Sequence, residues 1–423
     1  MKNWDKVFGF ILLAVLIFGA PFVLPTNMHY IRLLIGLAMG YILSRSYTGF
    51  AGSVNRAYNT GSTKLMRTLM FMFTITAIAN VAFLFSAKNI TDYDLWINPI
   101  NLGLLLGGLL FGFGMSFSSC CATGTLTDLV TDLPRAGITL IFFCLGVFLG
   151  FPVQATQSWV KNSWFTSSTG SKFSNGVYMP DWFKWDGLNG YLGAIVLTAI
   201  FAGIGIYLSY LYEKKRRNES TYSGVLSEKI QDKPLSESSI SDFSLNSPTT
   251  YDIMFKRPLT LKQGAIGLSL LFVLLMGLTK SGWGASTPYG FWFGKVLTSV
   301  GVSAESLANF TGQPSAVFAG PWLANGVTVQ NFGILLGTLI FFTTAGLMSE
   351  TIHSVPSLTV KSSLLYCIGG FSMGFGTRLS NGCNVGALYS PIATFSLSGW
   401  IFLIVLVLGG IFGNMVAKRV YGN

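Results

Sequence analysis

Ten apolar runs are spaced along the chain, near 7–24, 30–45, 66–86, 99–117, 136–156, 189–212, 261–280, 331–349, 361–378 and 397–417. Each is long enough, or nearly so, to cross ~30 Å of hydrocarbon as a helix rising ~1.5 Å per residue. The pattern predicts an all-α integral membrane protein of about ten hydrophobic helices. The first run follows Lys2 and Lys6, as in a signal peptide. It is longer than a typical cleaved h-region, so it reads as a retained helix.

One long polar interval divides the pattern. Glu213–Arg257 opens "EKKRRNES" and continues "SESSISDFSLNSPTT", Ser-rich and without periodicity. Such a composition cannot bury a core. It predicts a disordered cytoplasmic linker at 213–257, between a first membrane half (1–212) and a second (258–423). Basic residues flank the runs: Lys2 with Lys6; Arg45, Arg56, Lys64 and Arg67; Lys214–Arg217; Lys418 with Arg419. With six helices before the linker and four after it, all four groups fall on the cytoplasmic side, as do both termini. The loop 153–188 then lies outside, and its tryptophans, Trp159, Trp164, Trp182 and Trp185, fit an interfacial aromatic belt.

Two shorter interruptions carry the chemistry. "GGLLFGFGMSFSSCCATGTL" (107–126) aligns with "GGFSMGFGTRLSNGCNVGAL" (369–388) at an offset of 262 residues, with nine of twenty positions identical. The matches include Ser118 with Ser380, Cys121 with Cys383, and Gly124 with Gly386. Under the topology above the two copies run in opposite directions, the mark of an inverted repeat. The segments that follow, 122–134 and 384–391, are too short to cross again and read as re-entrant half-helices. Broken backbone at membrane depth is tolerated only where protein buries it or water lines it. A half-helix N-terminus presents free N–H groups and partial positive charge, which attracts anions.

Cysteine at such an end offers a weak S–H donor and a polarizable acceptor. A large soft anion gains from that, and a small hard ion gains little. The candidate lining is therefore Cys121, Cys383 and the unmatched Cys120. With them come Ser118, Ser119, Thr123, Gly124, Ser380, Asn381, Asn384 and Gly386. Arg45 and Arg378 end apolar runs beside breaks, and two readings stand: snorkelling at the interface, or drawing anions to a pore mouth. Cys144 and Cys367, mid-helix, read as packing residues, Asp128 and Asp132 as cytoplasm-facing, and His353 as a loop residue. "KSGWGASTPYG" (280–290) predicts a further re-entrant element with Trp283 near the interface.

Composition narrows the classes. Only 10% of residues are charged, against about 25% in soluble proteins. The net charge of +11 belongs to topology, not to nucleic acid. Five cysteines and two histidines without paired spacing point to neither a disulfide framework nor a metal site, and no cofactor is expected. No P-loop, GxSxG or HExxH occurs, so the chain by itself is neither an ATP-driven pump nor a hydrolase of those types.

On the duplicated glycine–cysteine motif, and less specifically on "KRPLTLKQGAIGLSL…KSGWGAS" at 256–286, the chain resembles the YeeE/YedE sulfur-transport family. The resemblance covers both halves but not the linker. It implies a prokaryotic inner-membrane protein of hourglass shape that takes up thiosulfate or a related sulfur anion. Cysteines at the constriction, here Cys121 and Cys383, would pass the anion through S–H···S contacts. It also implies, for some members, a small cytosolic TusA-like sulfur-carrier partner. Family members often carry a further cysteine in a segment like "RSxFCF"; this chain has "RSYTGF" (45–50), with Gly49 at that place and Thr48 or Cys120 as substitutes nearby. Two alternatives stand beside uptake of a sulfur anion: transport of another small solute such as a selenium species, and a membrane thiol sulfurtransferase or redox relay.

Overall fold

The computed structural model describes residues 2–233, 247–355 and 357–421. Among them the structure is helical, without strands. The long helices are α1 (Lys2–Val23), α2 (Asn27–Arg45), α4 (Lys64–Ser86), α5 (Leu102–Ser118), α7 (Leu133–Thr156) and α8 (Tyr191–Asn218). After the polar interval come α10 (Leu261–Thr279), α12 (Gly326–Thr344), α13 (Val360–Leu379) and α15 (Leu397–Tyr421). Four shorter pieces matter as well: α3 (Phe50–Thr60), α6 (Ala122–Thr131), α9 (Leu226–Gln231) and α11 (Thr287–Ser299). A π-helical turn, α14 (Asn384–Tyr389), continues as Ser390–Ala393.

Each of the ten apolar runs becomes a helix, and eight stretches are long and apolar enough to cross a membrane. The protein is thus a multi-pass membrane protein. The two long helices that fall short in hydropathy are α2 and α13. Both are walled in by protein: α2 packs on α12, and α13 lies between α5 and α7. A helix so enclosed need not be apolar all round. Small residues permit the contact, since a Cβ at Gly107 would come within 2.6 Å of the Gly376 carbonyl and one at Gly376 within 2.8 Å of the Gly107 carbonyl.

Helix starts follow local capping chemistry. Asn101 accepts from the Leu104 amide at 2.9 Å to open α5, and Thr260 with Gln263 forms a capping box on α10. The two cysteine-bearing breaks end their helices alike. Ser118 donates to the Gly114 carbonyl (3.1 Å) and the Cys120 carbonyl (3.3 Å), while Ser380 donates to Gly376 (2.9 Å) and Gly382 (3.0 Å). The next residue turns left-handed in both, Ser119 at φ 57° and Asn381 at φ 58°. That conformation is costly for a residue with a Cβ, and the flanking packing holds it.

The polar interval differs from the disordered linker expected of it. Residues 234–246 lie outside the described residues, but both flanks are docked. Glu213 accepts from Arg67 and Arg217, and Glu228 accepts from Ser62 (2.6 Å) and Arg56 (3.3 Å). Gln231 donates to the carbonyls of Ser46 (2.7 Å) and Leu259 (2.8 Å). Composition hid this because the order comes from pairing with the basic segment 45–67, not from an apolar core. Trp283 is a further correction: it is fully buried against Phe50 and Tyr389 rather than near an interface. In the loop before α8, Trp164, Trp182 and Trp185 are exposed.

Candidate functional site

Each matched cysteine stands at the start of a short helix. Cys121 is the N-cap of α6, and its sulfur accepts from the Gly124 amide at 3.4 Å. The Thr123 amide also faces this sulfur, as does the Ala51 amide from the first turn of α3. Cys383 precedes α14, and the amides of Val385 and Gly386 face its sulfur. There the neighbouring half-helix is α11, whose N-cap, Ser286, has its hydroxyl near the thiol. Four half-helix N-termini thus surround two thiols, and each contributes partial positive charge. The thiols lie close enough for charge on one to act on the other. Both are buried and free.

Across the centre, the Tyr289 hydroxyl of α11 donates to the Ala122 carbonyl at 2.7 Å, tying the Cys383 side to the Cys121 half-helix. Soft sulfur also comes from methionine: Asn384 Nδ2 approaches Met115 Sδ at 3.5 Å, and Ser118 approaches Met373 Sδ at 3.7 Å. Buried polar atoms without a partner include Thr123 Oγ1, Asn384 Oδ1 and Trp283 Nε1.

A cavity of about 550 Å³ opens to the Cys121 side. Its walls include Tyr47, Gly49, Phe50, Ser119, Cys120, Cys121, Thr123 and Gly124, and neither Cys383 nor Arg378 is among them. A second, larger cavity of about 750 Å³ shares Ser119 but contains neither thiol, so it is not the centre of this chemistry. Gly49 leaves open space, because a Cβ there meets nothing within 4 Å. Thr48 sits beside it and is bound to Ser46 Oγ at 2.8 Å; Cys120 contacts Thr125 Oγ1 at 3.2 Å.

The remaining expected residues separate. Ser118 and Ser380 are helix-end caps. Asn381 accepts from Gln154 at 2.5 Å. At Gly386 a Cβ would collide with the Trp96 ring, so glycine serves close packing there. Arg45 does not line the cavity, and its guanidinium donates to the carbonyls of Ile253 and Arg257, each at 2.9 Å. Asp128 and Asp132 both accept from Arg135, which also donates to the Ser118 carbonyl at 3.0 Å. Arg378 is buried, donating to Ser286 Oγ (2.9 Å) and Thr287 Oγ1 (3.2 Å), with its guanidinium over the Phe151 ring. Sequence reasoning did not assign Ala51, Ser286, Tyr289 or the two methionines. "KSGWGAS" carried a signal for Ser286; α3 had none, being only a polar stretch after α2.

The sulphur-transport family matches residues 45–412, nearly the whole chain. The protein belongs to that family. It is 21% identical to the thiosulfate transporter TsuA of Escherichia coli over 380 residues, covering 89% of this chain and 91% of the relative. It is 23% identical to TsuA of Spirochaeta thermophila over 388 residues, covering 89% and 95%. A shorter match, 28% over 154 residues, is to the probable transporter YedE of E. coli and spans 35% of each chain. The family is one of sulphur transport.

Proposed function

We propose that the protein takes up thiosulfate, or a closely related sulfur anion, through a constriction lined by Cys121 and Cys383. The observation that carries this is the convergence of four half-helix N-termini on two buried thiols. The amide ends supply positive potential, and the thiols supply soft contacts for a sulfur end. Met115 and Met373 extend the soft lining. Cys120 and Thr123 belong to the approach from the cavity, and Gly49 widens it where many relatives would place another thiol. In this reading the two halves, 1–212 and 258–423, form an inverted repeat, and the cavity on the Cys121 side faces the cytoplasm. The basic groups favour a cytoplasmic position for both termini, and the family resemblance favours a prokaryotic inner membrane. A TusA-like carrier would meet the anion on that face.

The test is uptake of labelled thiosulfate into proteoliposomes holding the purified chain. Saturable uptake above protein-free vesicles is expected, lost in Cys121→Ala and Cys383→Ala. Uptake unchanged in both variants would overturn the thiol pathway. A persulfide trapped on either cysteine during turnover would favour the sulfurtransferase reading instead.

A further inference from the structure

We propose that Arg378, with Ser286 and Thr287, is the oxyanion anchor of the permeant anion, so the anion rests with its oxygens on Arg378 and its soft sulfur on Cys383. This rests on the transport reading above and adds which of the two thiol sites binds, and in what orientation.

Charge is the first argument. Arg378 is 3% exposed, and among the described residues no carboxylate pairs with it. It donates to the hydroxyls of Thr377, Ser286 and Thr287 and lies over one aromatic face. A buried cation without a counter-charge is expensive to keep. The carbonyl end of its own helix, α13, offers about half a negative charge. The guanidinium, however, lies on the N-cap and first residue of α11, whose amide end is positive by a similar amount. The two helix ends cancel, and one full positive charge remains for an anion.

Geometry is the second. Ser286 neighbours both groups: its hydroxyl accepts from Arg378 and lies near the Cys383 thiol. An anion held there meets a fork of N–H donors and a sulfur at once. The same segment holds Trp283, whose fully buried indole Nε1–H has no partner.

The consequence is specificity. Thiosulfate carries oxygens at one end and a soft sulfur at the other, and so satisfies both groups. Thiocyanate has the sulfur but a single charge and no group of oxygens to fill the guanidinium fork, and so gains less from Arg378. The experiment is thiosulfate uptake and its competition by thiocyanate, measured on the full chain in proteoliposomes for wild type, Arg378→Gln, Arg378→Lys and Ser286→Ala. Alkylation of Cys383 by iodoacetamide is followed at neutral pH in parallel. Expected is a KM for thiosulfate raised about tenfold or more in Arg378→Gln. Arg378→Lys should recover part of that, Ser286→Ala should lose less, and inhibition by thiocyanate should weaken less than thiosulfate binding in all. An unchanged KM in folded Arg378→Gln, with slower alkylation of Cys383, would make Arg378 the counter-ion of a thiolate and overturn the proposal. If Arg378→Gln does not fold, an unchanged KM in Ser286→Ala overturns it alone. Absence of saturable uptake in wild type would instead sink the transport reading.

Discussion

The Cys121 and Cys383 sites share a scaffold and differ in charge and access. Both begin a short helix after a left-handed residue, and both have a serine capping the preceding helix. Cys121 borders an open cavity, and the cation nearest its break, Arg135, is committed to Asp128 at 3.0 Å and Asp132 at 2.7 Å. Cys383 lies outside that cavity, beside Arg378, which pairs with no carboxylate among the described residues. The aligned residues explain it: Ser116 stands where Arg378 stands in the second copy, and Ala51 faces the first thiol where Ser286 faces the second. Duplicated backbone geometry therefore does not require duplicated electrostatics. A repeat can offer one end for entry and the other for holding.

The comparison can be broken most directly at the thiols. Cys383→Ala should reduce thiosulfate uptake to near the protein-free level, with Cys121→Ala close behind; loss in one variant alone would break the two-site scheme. Access should separate the two next. A membrane-impermeant maleimide offered from the cavity side should label Cys120 and Cys121 well before Cys383, read by mass spectrometry of the digested protein. Equal rates would place both thiols in one open chamber. Tyr289→Phe removes the hydrogen bond that links the two sides. It should cost about 0.5–1.5 kcal/mol of stability, seen as a lowered thermal midpoint, and lower the uptake rate more than it raises KM.

Gly49→Cys sharpens the first site with a smaller expected effect. The added side chain meets open space, so stability should stay within about 0.5 kcal/mol, while a new thiol labels from the cavity. The smallest effect concerns a region remote from both sites. Burial opposes ionisation of Asp186, but the amides of Gly193, Gly190 and Leu188 outweigh it and hold the carboxyl below its ordinary value of 3.8. A depressed folded pKa stabilises above the unfolded value and is lost as pH falls through the folded one. The loop before α8 should therefore loosen only under strongly acid conditions, while transport at neutral pH is unaffected in Asp186→Asn. Hydrogen exchange of residues 186–193 against pH checks this.

Much of the architecture was legible along the chain. Ten apolar runs became ten long helices because length and hydropathy are local properties. The cysteine breaks stood out because polar residues interrupt apolar runs at a matched spacing. Pairing across the fold was not legible. The flanks of the polar interval looked too hydrophilic to order, yet Glu213, Glu228 and Gln231 are buried by partners more than a hundred residues away or across a helix end. Trp283 looked interfacial by its polar neighbours and is instead in the core.

By itself, then, the chain determined a multi-pass helical membrane protein with two thiol-bearing breaks, since hydrophobic length and helix-ending residues act over a few positions. Only the tertiary structure decided which groups surround each thiol. Ala51, Ser286, Tyr289 and Arg378 act through helix ends brought together from distant segments, and the field at a buried point depends on every charge and dipole packed around it.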